Sequence, residues 1–170
     1  METYHGRGKD VLLSTSIIPE SHCDLLESAA LAYLATIGSN GEPQVSAVRC
    51  TWDGSFFLFA FNKKRQKVRS VLRDPRVAVA NFDPADPYRA LEIGGAVPRI
   101  DEDRDFWFIN AASQKYLGRD STSEEMGAAE ERRDIVVEPE RAIPFPASID
   151  KNFHNRQRPG TLRRAAQPVE

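Results

Sequence analysis

Positions 63–76 read KKRQKVRSVLRDPR, seven basic residues against one acidic, a local charge of +6. The whole chain carries −2, so the remaining positions sum to −8 (−2 − 6). Three readings of such a cluster compete. A short surface helix often carries Lys and Arg simply as a solvated face. A basic groove can instead track single-stranded nucleic acid, but a pI near 6.0 is not the balance of such a domain, and the main cluster of Phe residues, four of the nine, falls in one apolar run rather than on a stacking platform. The third reading is a phosphate site. The basic stretch starts where the apolar run SFFLFAFN (55–62) ends, and Val68, Val71 and Leu72 recur at helical spacing just beyond it. Amides at a helix start are unpaired donors, and the helix dipole adds partial positive charge. Arg65 offers a planar fork to phosphate oxygens and Lys67 a mobile point charge. Residues 65, 69 and 73 share one helical stripe and extend the positive surface. Neither GxGxxG nor GxxxxGK[ST] follows a strand here, so a dinucleotide fold or P-loop is not indicated.

Other reactive groupings are sparse. His5, His22 and His154 lie far apart, and neither Cys23 nor Cys50 stands at ligand spacing from them, so no metal site is expected. Glu124–Glu125 and Glu130–Glu131 read as a solvated surface. Glu92, inside the apolar LEIGG, needs a partner, and a structural salt bridge to Arg89 or another arginine is expected. Trp52 and Trp107 read as core or interface residues.

These residues need a scaffold. A chain of 170 residues with 41% hydrophobic residues suits one domain with a short tail. No apolar run reaches the length of a membrane helix, the start is polar, and two cysteines without an export signal fit a cytoplasmic protein. A lead-in over 1–18 precedes a short amphipathic helix at about 19–29. Strands are expected at 31–37, 44–52, 55–62, 76–83, 89–101 and 134–145, the third covered on both faces and the last interrupted by Pro139. Asn40-Gly41 and Asp53-Gly54 supply tight turns, and Gly94-Gly95 a bulge. Helices are expected after Asn62 and before Gly118, with a polar connection at 119–133. The last 25 residues, 146–170, hold few apolar anchors. Six strands, mainly joined by tight turns, predict an α+β fold, a small antiparallel barrel with helices outside it.

The segments LAYLATIGSNGEPQVSAV and RQKVRSVLRDPRVAVANFDPADPYRALEIGGAV, with the later YLG, resemble the split β-barrel flavin and deazaflavin oxidoreductases, the superfamily of pyridoxamine 5′-phosphate oxidase. Arg65-Gln66-Lys67-Val68-Arg69 is the most specific piece, and the style of the motifs is closest to the branch using coenzyme F420. The resemblance spans about 19–145 and implies a six-stranded split barrel whose homodimer builds two cofactor sites along its interface. It implies that Arg65 and Lys67 hold the cofactor phosphate, that Ser46, Ala47 and Val48 lie along the ring system, and that Phe61 and Asn62 border the ribityl chain. The implied activity is hydride transfer from reduced F420 to a conjugated small molecule. The alternatives are an FMN-dependent oxidase or reductase on the same barrel and a non-catalytic flavin or F420 carrier. Lys63, Lys64, Arg69 and Arg73 would suit the glutamate tail of F420. Arg49 stands where the family commonly has an aromatic or apolar residue, and is a candidate for the substrate pocket. No nucleic acid or membrane partner is expected.

Overall fold

The computed structural model describes residues 17–103, 105–127 and 131–145. Most of the expected lead-in and the tail at 146–170 lie outside them. A 3-10 turn, Glu20–His22, runs into α1 (Cys23–Glu27), shorter than the helix expected at 19–29. The strands are β1 (Ala32–Ile37), β2 (Pro43–Val48), β3 (Thr51–Trp52), β4 (Phe57–Asn62), β5 (Arg76–Phe82), β6 (Ala90–Asp101) and β7 (Arg132–Phe145). The helices after α1 are α2 (Gln66–Arg73), α3 (Trp107–Leu117) and α4 (Ser123–Met126).

All seven strands join one antiparallel sheet in the order β2-β1-β5-β6-β7-β4-β3. The count exceeds the expected six because the strand expected over 44–52 divides. β2 pairs with β1, whereas β3 pairs with β4 at the opposite edge of the sheet. Only Arg49 and Cys50 separate β2 from β3, so the two edges must approach each other. A flat sheet could not satisfy that, and the sheet curls into a split barrel with a seam between β2 and β4.

Alternation decides which side chains fill this barrel. Ala32, Leu34 and Thr36 of β1 are buried, while Tyr33 between them is exposed. The interior holds Leu25, Leu26, Leu34, Phe57, Phe59, Leu91, Ile93, Ile135 and Val137, all at most 2% exposed. Leu58 and Val136 face the other way and pack under Phe108 and Ala112 of α3. β4 is thus covered on both faces, as expected. Pro139 does not interrupt β7. It sits opposite Gly95 at a bulge, where the Glu138 carbonyl comes so close that a Cβ on Gly95 would overlap it. Glu92 differs from expectation: it is exposed on the outer face of the sheet, and Arg89 instead pairs with Asp24 (2.6 Å) and Asp83 (3.0 Å). Trp52 does pack on the core, against Phe57, but Trp107 is half exposed. Among the described residues no helix is long and apolar enough to cross a membrane, and no group of His, Cys, Asp and Glu is placed to hold a metal.

Candidate cofactor site at the barrel seam

The basic segment leaves β4 through a turn built by Asn62. Its backbone oxygen accepts from the Arg65 amide (2.9 Å) and its side-chain oxygen from the Lys64 amide (2.9 Å). Asn62 therefore shapes the entry to α2, with Arg65 at the N-cap and no side chain capping the first turn. Asp74 ends the helix just ahead of Pro75. Val68, Ser70 and Val71 turn inward, so the cations lie on the outer face and at its start.

These cations are not equivalent. Lys63 and Lys64 both reach Glu131, at 2.9 and 3.2 Å, and hold its carboxyl below the usual range. Arg76 is bound to Asp74 (2.6 Å), and Arg73 reaches the Ile37 carbonyl at 3.4 Å. The expectation that Lys63, Lys64, Arg69 and Arg73 all await an anionic tail is thereby narrowed: the two lysines already share one carboxylate, which offsets half of their charge. Among the described residues, Arg65, Lys67 and Arg69 have no carboxylate partner.

Lys67 is the cation that crosses the seam. Its Nζ donates to Ser46 Oγ of β2 at 2.7 Å and lies 4.6 Å from the centroid of the Phe61 ring of β4. Burial pushes its pKa down, and neighbouring Arg65 adds to that effect. A half-buried ammonium with one hydroxyl, one aromatic face and no counter-ion is under-compensated, and an anion supplies what it lacks. Phe61 is itself fixed by stacking on Phe59, with centroids 6.4 Å apart. Ser46 and Val48 belong to the inward set of β2, whereas Ala47 is exposed opposite Tyr33 on the outer face. The site thus joins Arg65, Lys67, Ser46, Val48 and Phe61. Asn62 shapes it from behind, and Ala47 contributes no side chain to it.

Next to Lys67 the seam opens into a cleft of about 260 Å³, lined by Val48 and Arg49 on one side, Ala60, Phe61 and Arg132 on the other, and Phe108, Ile109 and Ala112 of α3. Arg49, the candidate substrate-pocket residue, does face this cleft. The crossover that carries it is pinned by two residues of α3. Tyr116 Oη donates to the Ala30 carbonyl (2.9 Å) and accepts from the Cys50 amide (3.1 Å). Lys115 Nζ donates to the carbonyls of Leu26 (2.6 Å) and Cys50 (3.0 Å). Burial raises the Tyr116 pKa and lowers that of Lys115, so the phenol stays protonated. The YLG motif is in this sense a fastener for the seam.

Behind the cleft lies an acidic pair that sequence reasoning missed. Asp103 is almost fully buried, accepts from Arg132 Nε at 3.3 Å and sits below the start of α3. Asp134, 9% exposed, has a carboxyl oxygen with no hydrogen-bond partner among the described residues. Burial, then repulsion from Asp103, pushes its pKa up to about 8. The only sequence signal was an acid at the head of the apolar run IVV.

The family model described as pyridoxamine 5′-phosphate oxidase matches residues 18–144. The chain belongs to that family. Comparison with curated proteins gives no match. Among solved structures, an F420 reductase is 34% identical with a TM-score of 0.67, over 74% of this chain and 98% of its own. The conserved hypothetical protein Rv2991 of Mycobacterium tuberculosis is 23% identical, TM-score 0.63, over 80% and 89% of the two chains. HutZ, a heme storage protein of Vibrio cholerae, is 14% identical, TM-score 0.58, over 75% and 94%. The last two share the fold alone. In this pyridoxamine 5′-phosphate oxidase family member, the resemblance read from the basic motif and the split barrel both hold.

Proposed function

We propose that the protein is an oxidoreductase that holds coenzyme F420 along the seam and reduces a conjugated small molecule. The observation that carries this reading is Lys67: a half-buried cation tied across the barrel edges to Ser46, beside Arg65 and the uncapped start of α2, with no acidic partner among the described residues. That arrangement fits the phosphate of a flavin-type cofactor. Ser46, Val48 and Phe61 offer a wall for its ring system and chain. The 34% identity to an F420 reductase favours the deazaflavin over FMN. When bound and reduced, such a cofactor supplies a hydride. The chain's own residues bind and orient: Arg65 and Lys67 hold the anionic end, Phe61 and the α3 residues Phe108 and Ile109 keep water from the cleft, and Arg49 meets the acceptor.

The same reading includes a homodimer. Val45, Tyr33, Phe82, Ile143 and Phe145 are exposed on the outer face of the curled sheet, an apolar set drawn from β2, β1, β5 and β7, with Glu92 of β6 between them. β2 serves both surfaces, with Val45 and Ala47 facing out and Ser46 and Val48 facing the seam, so an interface on this face abuts the cofactor site. Tyr33→Asp should convert a dimer to a monomer in light scattering.

Titration of the purified protein with F420 and with FMN, followed by absorbance during turnover of a quinone acceptor, tests the assignment. F420 binding with reduction of the acceptor is expected. Tight FMN binding without response to F420 defeats the deazaflavin choice, and binding without turnover of any conjugated acceptor leaves a carrier.

A further inference from the structure

The cleft beside Lys67 has six apolar wall residues and two polar ones, and both polar ones are arginines. They come from opposite sides of the seam, Arg49 from the end of β2 and Arg132 from the head of β7. Arg49 lies 5.7 Å from the centroid of the Tyr116 ring, and Tyr116 is fixed through its hydroxyl to Ala30 and Cys50. An aromatic shelf positions a guanidinium without using its hydrogen-bond donors. Among the described residues Arg49 has no carboxylate partner. Arg132 is held from behind: its Nε donates to buried Asp103 at 3.3 Å, the only side-chain bond it makes among the described residues. Its terminal nitrogens remain for a second acceptor. The charged groups lining the cleft are thus two guanidiniums, with buried Asp103 behind one of them, and burial pushes the pKa of neighbouring Asp134 up.

We propose that this cleft binds the carboxylate of a planar, conjugated acid, gripped between Arg49 and Arg132, with the unsaturated skeleton lying against Phe61, Phe108 and Ile109. Guanidinium forks match carboxylates in a bidentate way, and they do so best in a partly desolvated, apolar setting. At about 260 Å³ the cleft is slightly smaller than typical pockets for drug-sized molecules, so it takes one conjugated arm or one to two rings. That the bound acid is the molecule reduced rests on the cofactor assignment above. The carboxylate grip itself does not.

The test uses isothermal titration of the full chain with cinnamate and with cinnamamide, which share the conjugated skeleton and differ in charge. The titrations are made without cofactor and with saturating F420. Cinnamate is expected to bind at least tenfold tighter than the amide. Arg49→Gln should bring the two to parity. Arg132→Lys, which keeps a cation opposite Asp103 and so protects the fold, should reduce the preference several-fold. Equal binding of acid and amide overturns the proposal, as does a preference that survives both substitutions. Competition between cinnamate and F420 for one site also overturns it, because the cleft would then belong to the cofactor. If F420 does not bind but the acid preference holds, the cofactor assignment fails and the carboxylate grip stands.

Discussion

Asp134→Asn should make the protein more stable at neutral pH and remove one component of its pH dependence. In the folded chain the carboxyl titrates at about 8, through burial first and Asp103 second; unfolded, it titrates near the ordinary value of 3.8. The folded state therefore holds a proton that the unfolded state has lost between these limits. Stability from this group is fully present below about pH 4 and is lost as pH rises toward 8, at about 1.4 kcal/mol per pH unit. Between pH 5 and pH 8 the loss approaches 4 kcal/mol. That is a ceiling, because water entry and reorientation of Arg132 soften the cost of ionising the group. Asparagine has nearly the same shape and does not titrate. Urea denaturation of both proteins at pH 5, 6, 7 and 8 isolates the effect, since the other titrating groups are common to both. The difference between the curves should widen steadily in favour of the variant as pH rises, by at least 1 to 2 kcal/mol across the range. Parallel stability profiles would refute the buried, protonated carboxyl.

Three further outcomes follow from the geometry. Tyr116→Phe removes the hydroxyl that joins Ala30 to Cys50, leaving a buried amide and carbonyl short of a partner; it should cost about 1–3 kcal/mol in denaturant unfolding and weaken whatever Arg49 binds. Gly95→Ala should destabilise the fold by more than about 2 kcal/mol, seen as a lowered Tm, because the new Cβ meets the Glu138 backbone rather than a movable side chain. Glu131→Gln should leave Tm nearly unchanged while removing the carboxylate that Lys63 and Lys64 share, and should strengthen binding of F420 at low salt more than binding of FMN.

Much of this arrangement was legible in the sequence, for physical reasons. The basic helix announced itself because apolar spacing at Val68 and Val71, a proline stop and a preceding apolar strand all agree. The barrel was legible from alternation and from Asn40-Gly41, where the glycine does adopt φ +83°. What escaped was whatever depends on distant pairing. Nothing local marks Arg49–Cys50 as a crossover, because the break arises from β2 and β3 choosing opposite edges of the sheet. Charge runs likewise do not reveal partners: Glu131, in the polar connection, proved to be the counter-ion of Lys63 and Lys64. Glu92 looked buried because its neighbours are apolar, yet a strand with one face exposed places alternate residues outside. Arg132, Asp103 and Asp134 meet only after β7 pairs with β4 and α3 folds over them.

The most direct test is the affinity of Lys67→Ala for F420 and FMN, beside the wild type, with thermal unfolding measured on both. Loss of a charge-assisted contact to phosphate should weaken the bound cofactor about 10- to 100-fold while Tm stays nearly unchanged, and Arg65→Ala should act in the same direction. Cofactor affinity unaltered in both variants would contradict the claim that the cation bridging the seam exists to hold the anionic end of a redox cofactor.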